Sequence, residues 1–444
     1  MTRLVVRPGG PLRGTARVPG DKSIAHRWLL LAATAEGASE IDGLPQADDV
    51  RSTVACVVRV TRSQPGLVAW LEGDATAVRV EGDSYGGLRQ PDWPLDCGNS
   101  GTTMRLLAGV LAGRPFASVL EGDESLSARP MERVADPLRR MGADVHTEDG
   151  HAPLQVIGGE LEGITYPLPV PSSQVKGAVL LAGAQASGET VVDAGANRDP
   201  QSPGAPVLRD HTERALRALG VPVETGDGRV TVRAHQHPGF RATVPGDASS
   251  AVYLLAAACI VPLSEVEVRD VGVNPTRLGF LDSLTNVGET QSWSELDEPI
   301  GSLSVSEALL EMPLRVPAAG FPAVIDEVPA LAAVACNLPG ESRFEGAAEL
   351  RLKESDRLEG LVLGIRGLGG EAEVQGDDLV VGGGGLPGGE ADSQGDHRLA
   401  MALAVAALGA RRESVIHGAH WAAVSFPGFA EALRSLGADV EAAE

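Results

Sequence analysis

A short helix-ending signature returns along this chain often enough to constrain its whole architecture. It reads as a helical run closed by an apolar residue and Gly, with a strand-like segment after it. Copies stand at Leu138-Arg139-Arg140-Met141-Gly142-Ala143-Asp144-Val145, Leu216-Arg217-Ala218-Leu219-Gly220-Val221-Pro222-Val223 and Leu284-Thr285-Asn286-Val287-Gly288. Two more are Ile365-Arg366-Gly367-Leu368-Gly369 and Leu433-Arg434-Ser435-Leu436-Gly437-Ala438-Asp439-Val440, and an eroded sixth lies at Val57-Val58-Arg59-Val60. Gly just past a helix suits a left-handed C′ position. A spacing of about 70 to 80 residues is too long for a solenoid, and it fits a unit of two helices and several strands.

A coarser echo joins Ala16-Arg17-Val18-Pro19-Gly20-Asp21-Lys22-Ser23 to Ala242-Thr243-Val244-Pro245-Gly246-Asp247-Ala248-Ser249, each followed by a Leu- and Ala-rich run. Two halves of three units each explain both periodicities, with the Pro-Gly pairs as crossing points. The expected domains are therefore 21–242, and 1–20 together with 243–444. The run Gly382-Gly383-Gly384-Gly385 has no helix start behind it, so it reads as a turn rather than a phosphate loop.

With 444 residues and 43% hydrophobic content the chain can bury more than one core. No stretch approaches the roughly 18 apolar residues of a membrane helix, and Met1–Val6 runs into Pro8-Gly9-Gly10 without a signal-peptide core, so a cytoplasmic location is expected. A net charge of −23 argues against nucleic acid. It leaves room for a small anion held by a local cluster of cations. Cys56, Cys97, Cys259 and Cys336 are scattered, form no C-x-x-C pair and read as buried thiols. Only three lysines survive in a chain that uses Arg for its other basic side chains: Lys22, Lys176 and Lys353. Each sits in a polar motif beside an apolar run, which singles them out for tasks a guanidinium cannot do.

Several motifs share one design, a polar cluster ahead of an apolar helix, where free N–H groups favour anions. In Gly20-Asp21-Lys22-Ser23-Ile24-Ala25-His26-Arg27, Ser23 is the candidate N-cap and Lys22 and Arg27 add charge. Gly98-Asn99-Ser100-Gly101-Thr102-Thr103-Met104-Arg105 and Pro171-Ser172-Ser173-Gln174-Val175-Lys176 repeat the theme. Ile325-Asp326-Glu327-Val328-Pro329 reads locally as capping of a Pro-started helix. Lys353-Glu354-Ser355-Asp356-Arg357 and Gly395-Asp396-His397-Arg398 add titratable groups, and Arg357 and Arg398 suit bidentate binding of carboxylate or phosphate.

Together these segments resemble the 5-enolpyruvylshikimate-3-phosphate (EPSP) synthase family, most closely its bacterial class II group, from about residue 3 to residue 440. G-D-K-S-I-x-H-R, G-N-S-G-T-T-x-R-L-L, G-D-E-S-L-x-x-R-P-M, S-x-Q-V-K, R-D-H-T-E-R, I-D-E-x-P, L-R-x-K-E-S-D-R and D-H-R-x-A-M occur here in family order. The resemblance implies an α/β (α+β) fold, a two-domain inside-out α/β barrel. It has six repeated β-α-β-α-β-β units, three per domain, and an active site in the cleft between the domains.

It further implies transfer of the enolpyruvyl group of phosphoenolpyruvate to the 5-hydroxyl of shikimate 3-phosphate by addition and elimination, by a monomer without metal or organic cofactor. By resemblance, Lys22, Ser23, Arg27, Ser172, Ser173, Gln174, Asp326 and Lys353 bind shikimate 3-phosphate. Lys22, Gly101, Arg129, Gln174, Arg357 and Arg398 surround phosphoenolpyruvate, with Asn99, Thr102, Glu354 and His397 close by. Lys22, Asp326, Glu354 and His397 form the expected catalytic set. Asp326 is the candidate acceptor of the hydroxyl proton, and Glu354 or Lys22 the donor to C3.

Three positions depart from the family pattern. Leu208 stands where a small hydroxyl residue usually helps hold the acceptor's phosphate, Val424 replaces a Lys, and Ala25 replaces the more usual Ser. The sister family acting on UDP-N-acetylglucosamine begins with G-A-K-N and carries a Cys on a loop that here, over 122–130, has none. The alternatives are an enolpyruvyl transferase for another hydroxylated acceptor and a non-catalytic binding protein of the same fold.

Overall fold

A glycine that ends a helix must turn left-handed to release the chain into the next strand, and four of the repeated glycines do so. Gly142, Gly220, Gly369 and Gly437 have φ of 110°, 83°, 81° and 103°. They follow the helices Glu132–Arg140, His211–Ala218, Arg357–Gly367 and Phe429–Ser435 and precede the strands Asp144–Glu148, Val223–Gly226, Glu371–Gln375 and Val440–Ala443. The computed structural model describes residues 3–62, 64–73, 77–195, 208–284, 287–306 and 312–443.

The copy at 284–288 differs, and its Thr285 and Asn286 lie outside the described residues. Pro275–Arg277 and Gly279–Ser283 ahead of it are 3₁₀ turns rather than an α-helix. Asn274 Oδ1 accepts from the Thr276 N–H at 2.9 Å, a local bond that competes with helical pairing. The eroded copy ends the helix Asp48–Val60, but a second helix, Pro65–Glu72, follows it instead of a strand.

Among the described residues the strands form six sheets, five of four strands and one of three. One order recurs. Leu95–Asp96 runs parallel to Ala117–Glu121, which pairs antiparallel with His151–Ile157, itself antiparallel to Asp144–Glu148. Thr165–Pro167, Glu189–Asp193, Arg229–Arg233 and Val223–Gly226 repeat it, as do Arg315–Val316, Glu341–Phe344, Asp378–Gly382 and Glu371–Gln375.

Chain contacts divide the molecule into two units, Gly20–Val244 with Ser294–Glu298, and Met1–Pro19 with Pro245–Trp293 and Pro299–Glu444. Each holds three sheets and its own apolar core. The tip of the hairpin formed by Val287–Glu295 and Glu298–Ser306 thus groups with 20–244, whereas the sequence reading left it in the other unit.

The Pro-Gly echo marks an exchange of strands. Arg13–Ala16 pairs in parallel with Glu265–Gly272, and Arg241–Thr243 with Glu36–Asp42. Arg13–Ala16 thus completes a repeat whose other members lie beyond the whole of unit 20–244 in sequence, whereas Arg241–Thr243 closes a repeat within that unit. Arg3–Val6 likewise closes the last repeat, antiparallel to Ser414–His417 and Val440–Ala443.

Each repeat contributes one buried helix: α1 Lys22–Thr34, α2 Gly101–Leu111, α3 Ser173–Gly183, α4 Ala248–Ile260, α5 Val328–Ala335 and α6 His397–Leu408. All residues of α4, α5 and α6 are buried. Helices apolar on every face belong inside a core, and the sheets cover them. The charged and amide side chains that these helices carry lie in their first two turns.

Candidate active site

The polar starts of α1, α2 and α3 converge within unit 20–244. Asp21, in extended conformation, caps α1 by accepting from the Ile24 N–H at 3.0 Å. The expected cap, Ser23, instead lies in the first turn, where its carbonyl accepts from Arg27 Nη1 at 2.7 Å. Asp and Ser cap equally well, so the extended backbone at Asp21 decides the start. Lys22 Nζ lies 2.8 Å from Asp49 Oδ2 on the following helix.

Ser100 caps α2 through the Thr103 N–H at 3.1 Å, and Ser172 caps α3 through Val175 at 3.3 Å. A buried chain of hydroxyls ties α1 to α2: His26 Nδ1 to Thr53 at 2.6 Å, Thr53 to Thr103 at 2.6 Å, and Thr103 to Ser100 at 2.7 Å. Burial pushes the His26 imidazole down to about 4. The unfolded chain therefore takes up this proton first, and the stability present above pH 6.5 is lost as pH falls from 6.5 towards 4. The shift is worth about 3 kcal/mol. Denaturant unfolding at pH 7 and pH 4 should show that much more loss for the wild type than for His26→Gln; an equal loss in both would exclude His26 as the source.

Gln174 bridges the helices, donating to Thr102 Oγ1 at 2.9 Å and accepting from Arg105 Nη1 at 2.5 Å. Arg105 is buried, and its remaining bonds go to the carbonyls of Gly101 and Pro130. Desolvation, with Arg133 and Arg129 nearby, lowers its pKa to about 9, which leaves it charged at neutral pH. A desolvated cation held by neutral oxygens favours an anion beside it. Gly101 makes the arrangement possible, because a Cβ there would come within 2.6 Å of Arg105 Nη1. Arg129 Nη2 donates to Asn99 Oδ1 at 2.5 Å, while Asn99 Nδ2 donates to Asp123 at 2.7 Å. Arg27 is buried too, held by Thr212 Oγ1 at 2.7 Å, and desolvation lowers its pKa to about 10. Lys176, by contrast, forms a buried ion pair with Glu213, a structural use for the second of the three lysines.

A second cluster belongs to the other unit and is centred on Asp326. Its Oδ1 stands 3.8 Å from Arg398 Nη2, 3.9 Å from Lys353 Nζ and 4.0 Å from Arg357 Nη1. Arg398 Nη1 also donates to the Asp326 carbonyl at 2.7 Å. Arg357, fully buried, bonds Asp396 Oδ2 at 2.8 Å and pairs with Glu354. Burial opposes its charge, but Asp396 and Glu354 outweigh that and raise its pKa. Burial lowers the Lys353 pKa, an effect that Asp326 partly offsets. Asp396 caps α6 through the Arg398 N–H at 2.7 Å and places His397 in the first turn between them.

Glu327 stands at the N-cap of α5, as the capping reading has it, but not through a side-chain bond. Pro329 lacks an N–H to satisfy, and the Glu327 carboxylate accepts instead from the Ser249 hydroxyl. Ser249 and Asp247 in turn receive Arg277 Nη2 at 2.7 and 2.9 Å.

Residues 6–433 match the family described as EPSP synthase (3-phosphoshikimate 1-carboxyvinyltransferase). A 3-phosphoshikimate 1-carboxyvinyltransferase of Acidithiobacillus ferrooxidans is 45% identical over 449 residues, covering 100% of both chains. One of Halorhodospira halophila is 46% identical, covering 98% of this chain and 96% of its own. The solved EPSP synthase of Acinetobacter baumannii superposes with a TM-score of 0.84 at 35% identity, over 100% of both chains.

The chain belongs to the EPSP synthase family. The two-domain, inside-out α/β architecture of EPSP synthases is the one built here from six sheets around six buried helices. The fold gathers Lys22, Ser23, Arg27, Asn99, Gly101, Thr102, Arg129, Ser172, Ser173 and Gln174 at the three helix starts of one unit. In the other it gathers Asp326, Lys353, Glu354, Arg357, His397 and Arg398. Arg105 and Arg209, which bond Gln174 and Ser173, were not singled out from the sequence. Arg209 donates its N–H to Ser173 Oγ at 2.9 Å, just after Leu208, which packs partly buried against the core. The signal for Arg105 was a cation inside an apolar helix, four residues past Gly101.

Proposed function

We propose that the chain transfers the 1-carboxyvinyl group of phosphoenolpyruvate to the 5-hydroxyl of shikimate 3-phosphate, releasing inorganic phosphate. The observation that carries this reading is the pairing of two chemistries in one chain: desolvated arginines at helix starts for anions, and a carboxylate set among three cations for proton transfer. Family membership over nearly the whole length supports it.

In this reading Arg27, Ser23, Ser172, Ser173, Gln174 and Lys353 hold shikimate 3-phosphate. Lys22, Arg129, Arg357 and Arg398 hold phosphoenolpyruvate, with Asn99, Thr102 and His397 beside them. Asp326 accepts the proton of the attacking hydroxyl as its oxygen bonds to C2, and Glu354 or Lys22 delivers a proton to C3. The C2–O bond to phosphate then breaks, and loss of a C3 proton restores the double bond. The steps balance in protons and electrons and call for no redox partner.

We take the two contact-defined units as the family's two domains, and a cytoplasmic monomer as the working form. No helix among the described residues is long and apolar enough to cross a membrane. Phosphate release from phosphoenolpyruvate by the purified protein should depend wholly on added shikimate 3-phosphate. Binding of both ligands without turnover would overturn the assignment.

A further inference from the structure

Glu298 opens the strand Glu298–Ser306 at the tip of the hairpin whose segment Ser294–Glu298 groups with unit 20–244. It is 1% exposed, and its Oε1 lies 2.7 Å from Nδ1 of His211, which is 2% exposed. The carboxylate can only accept, so Nδ1 carries the proton and the ring's orientation is fixed. Burying such a pair gains little stability over an apolar one, which directs attention to what it positions.

His211 starts the helix His211–Ala218, and its neighbours grip the binding helices. Thr212 Oγ1 receives Arg27 Nε at 2.7 Å, and Glu213 pairs with Lys176 on α3. With Nη1 on the Ser23 carbonyl, two of the three guanidinium nitrogens of Arg27 are held by protein oxygens among the described residues, and Nη2 is left for a ligand. The tip holds the helix at two further points. Arg214 Nη1 donates to the Asp297 carbonyl at 2.8 Å, and Arg217 Nη1 meets Asp297 Oδ2 at 3.0 Å. Glu298 also contributes a favourable field at Arg27.

We propose that Glu298 is a positioning residue for the acceptor substrate. Through His211 it sets Thr212, and Thr212 aims the Arg27 guanidinium at shikimate 3-phosphate. The inference rests on the reading above that Arg27 binds this substrate. Loss of the Glu298–His211 bond leaves the apolar cores in place and Arg27 misaimed, so the effect should fall on one substrate.

Steady-state kinetics and melting curves on the full-length protein test this. Glu298→Ala should raise KM for shikimate 3-phosphate about tenfold or more, leaving kcat and KM for phosphoenolpyruvate within about threefold. Glu298→Gln, whose amide oxygen still accepts from Nδ1, should stay within about threefold of wild type on all three. Thr212→Val should reproduce the KM shift, and the double variant should add little to it. If Glu298→Ala does not fold, Glu298→Asp, which withdraws the carboxylate by one methylene, carries the same expectation.

A lowered Tm with unchanged KM, equal changes for both substrates, or a silent Thr212→Val would each overturn the proposal. Wild-type protein assayed alongside separates the two failures. No wild-type turnover with shikimate 3-phosphate sinks the functional reading, whereas normal wild-type turnover with unaffected variants sinks only this one.

Discussion

Asp326→Asn should lower kcat by about 10²- to 10⁴-fold while changing either KM much less, the loss typical when a general base is removed. Asn preserves the size of the side chain and the carbonyl that receives Arg398 at 2.7 Å, so the local backbone has no reason to move. What disappears is a proton acceptor whose Oδ1 lies 3.8 to 4.0 Å from Arg398, Lys353 and Arg357. A carboxylate that served only to space these cations would show a different signature. Its removal would shift substrate affinity through altered repulsion and leave kcat largely intact. Steady-state kinetics with both substrates separates the two, and a kcat within tenfold of wild type would remove Asp326 from the proton-transfer step.

Lys22→Arg should cost about 10²-fold or more in kcat, although formal charge is unchanged. The ammonium of Lys22 sits 2.8 Å from Asp49 Oδ2, partly exposed at the first residue of α1. A guanidinium there would tend to lock onto Asp49 through two donors, and it cannot give up a proton near neutral pH. The structure has refined the argument from scarce lysines. Lys176 is spent on a buried ion pair with Glu213, which leaves Lys22 and Lys353 as the two lysines proposed to meet substrate. Turnover of Lys22→Arg at the wild-type rate would leave Lys22 as no more than a charge.

Much of this was legible because local rules and the final fold agree. The repeated glycines could be read because a left-handed helix end has few sequence solutions, and four of them adopt it. The helix starts could be read because cap residues stand directly ahead of apolar runs. Where two good caps compete, as Asp21 and Ser23 do, the choice depends on backbone angles that no local pattern reveals.

Long-range pairings were harder. Nothing in Arg13–Ala16 announces that its partner is Glu265–Gly272, since a four-residue strand carries almost no periodic signal. Glu298 could not be anticipated either, because its partner His211 stands 87 residues earlier. Arg105 was overlooked for the opposite reason: a cation inside a recognised motif looks like a surface charge until its burial is seen.

The exchanged strands also impose an order on how the chain can be finished during synthesis. Unit 20–244 holds nearly all of its own sequence in one stretch, so its core can form soon after that stretch leaves the ribosome, before the hairpin tip at 294–298 arrives. Arg13–Ala16 must wait for Glu265–Gly272, and Arg3–Val6 must wait for Ser414–His417 and Val440–Ala443. Both strands are therefore made well before the strands they pair with. During that wait their edges are unpaired, and each is short and opens on an arginine, two features that discourage pairing with other strands.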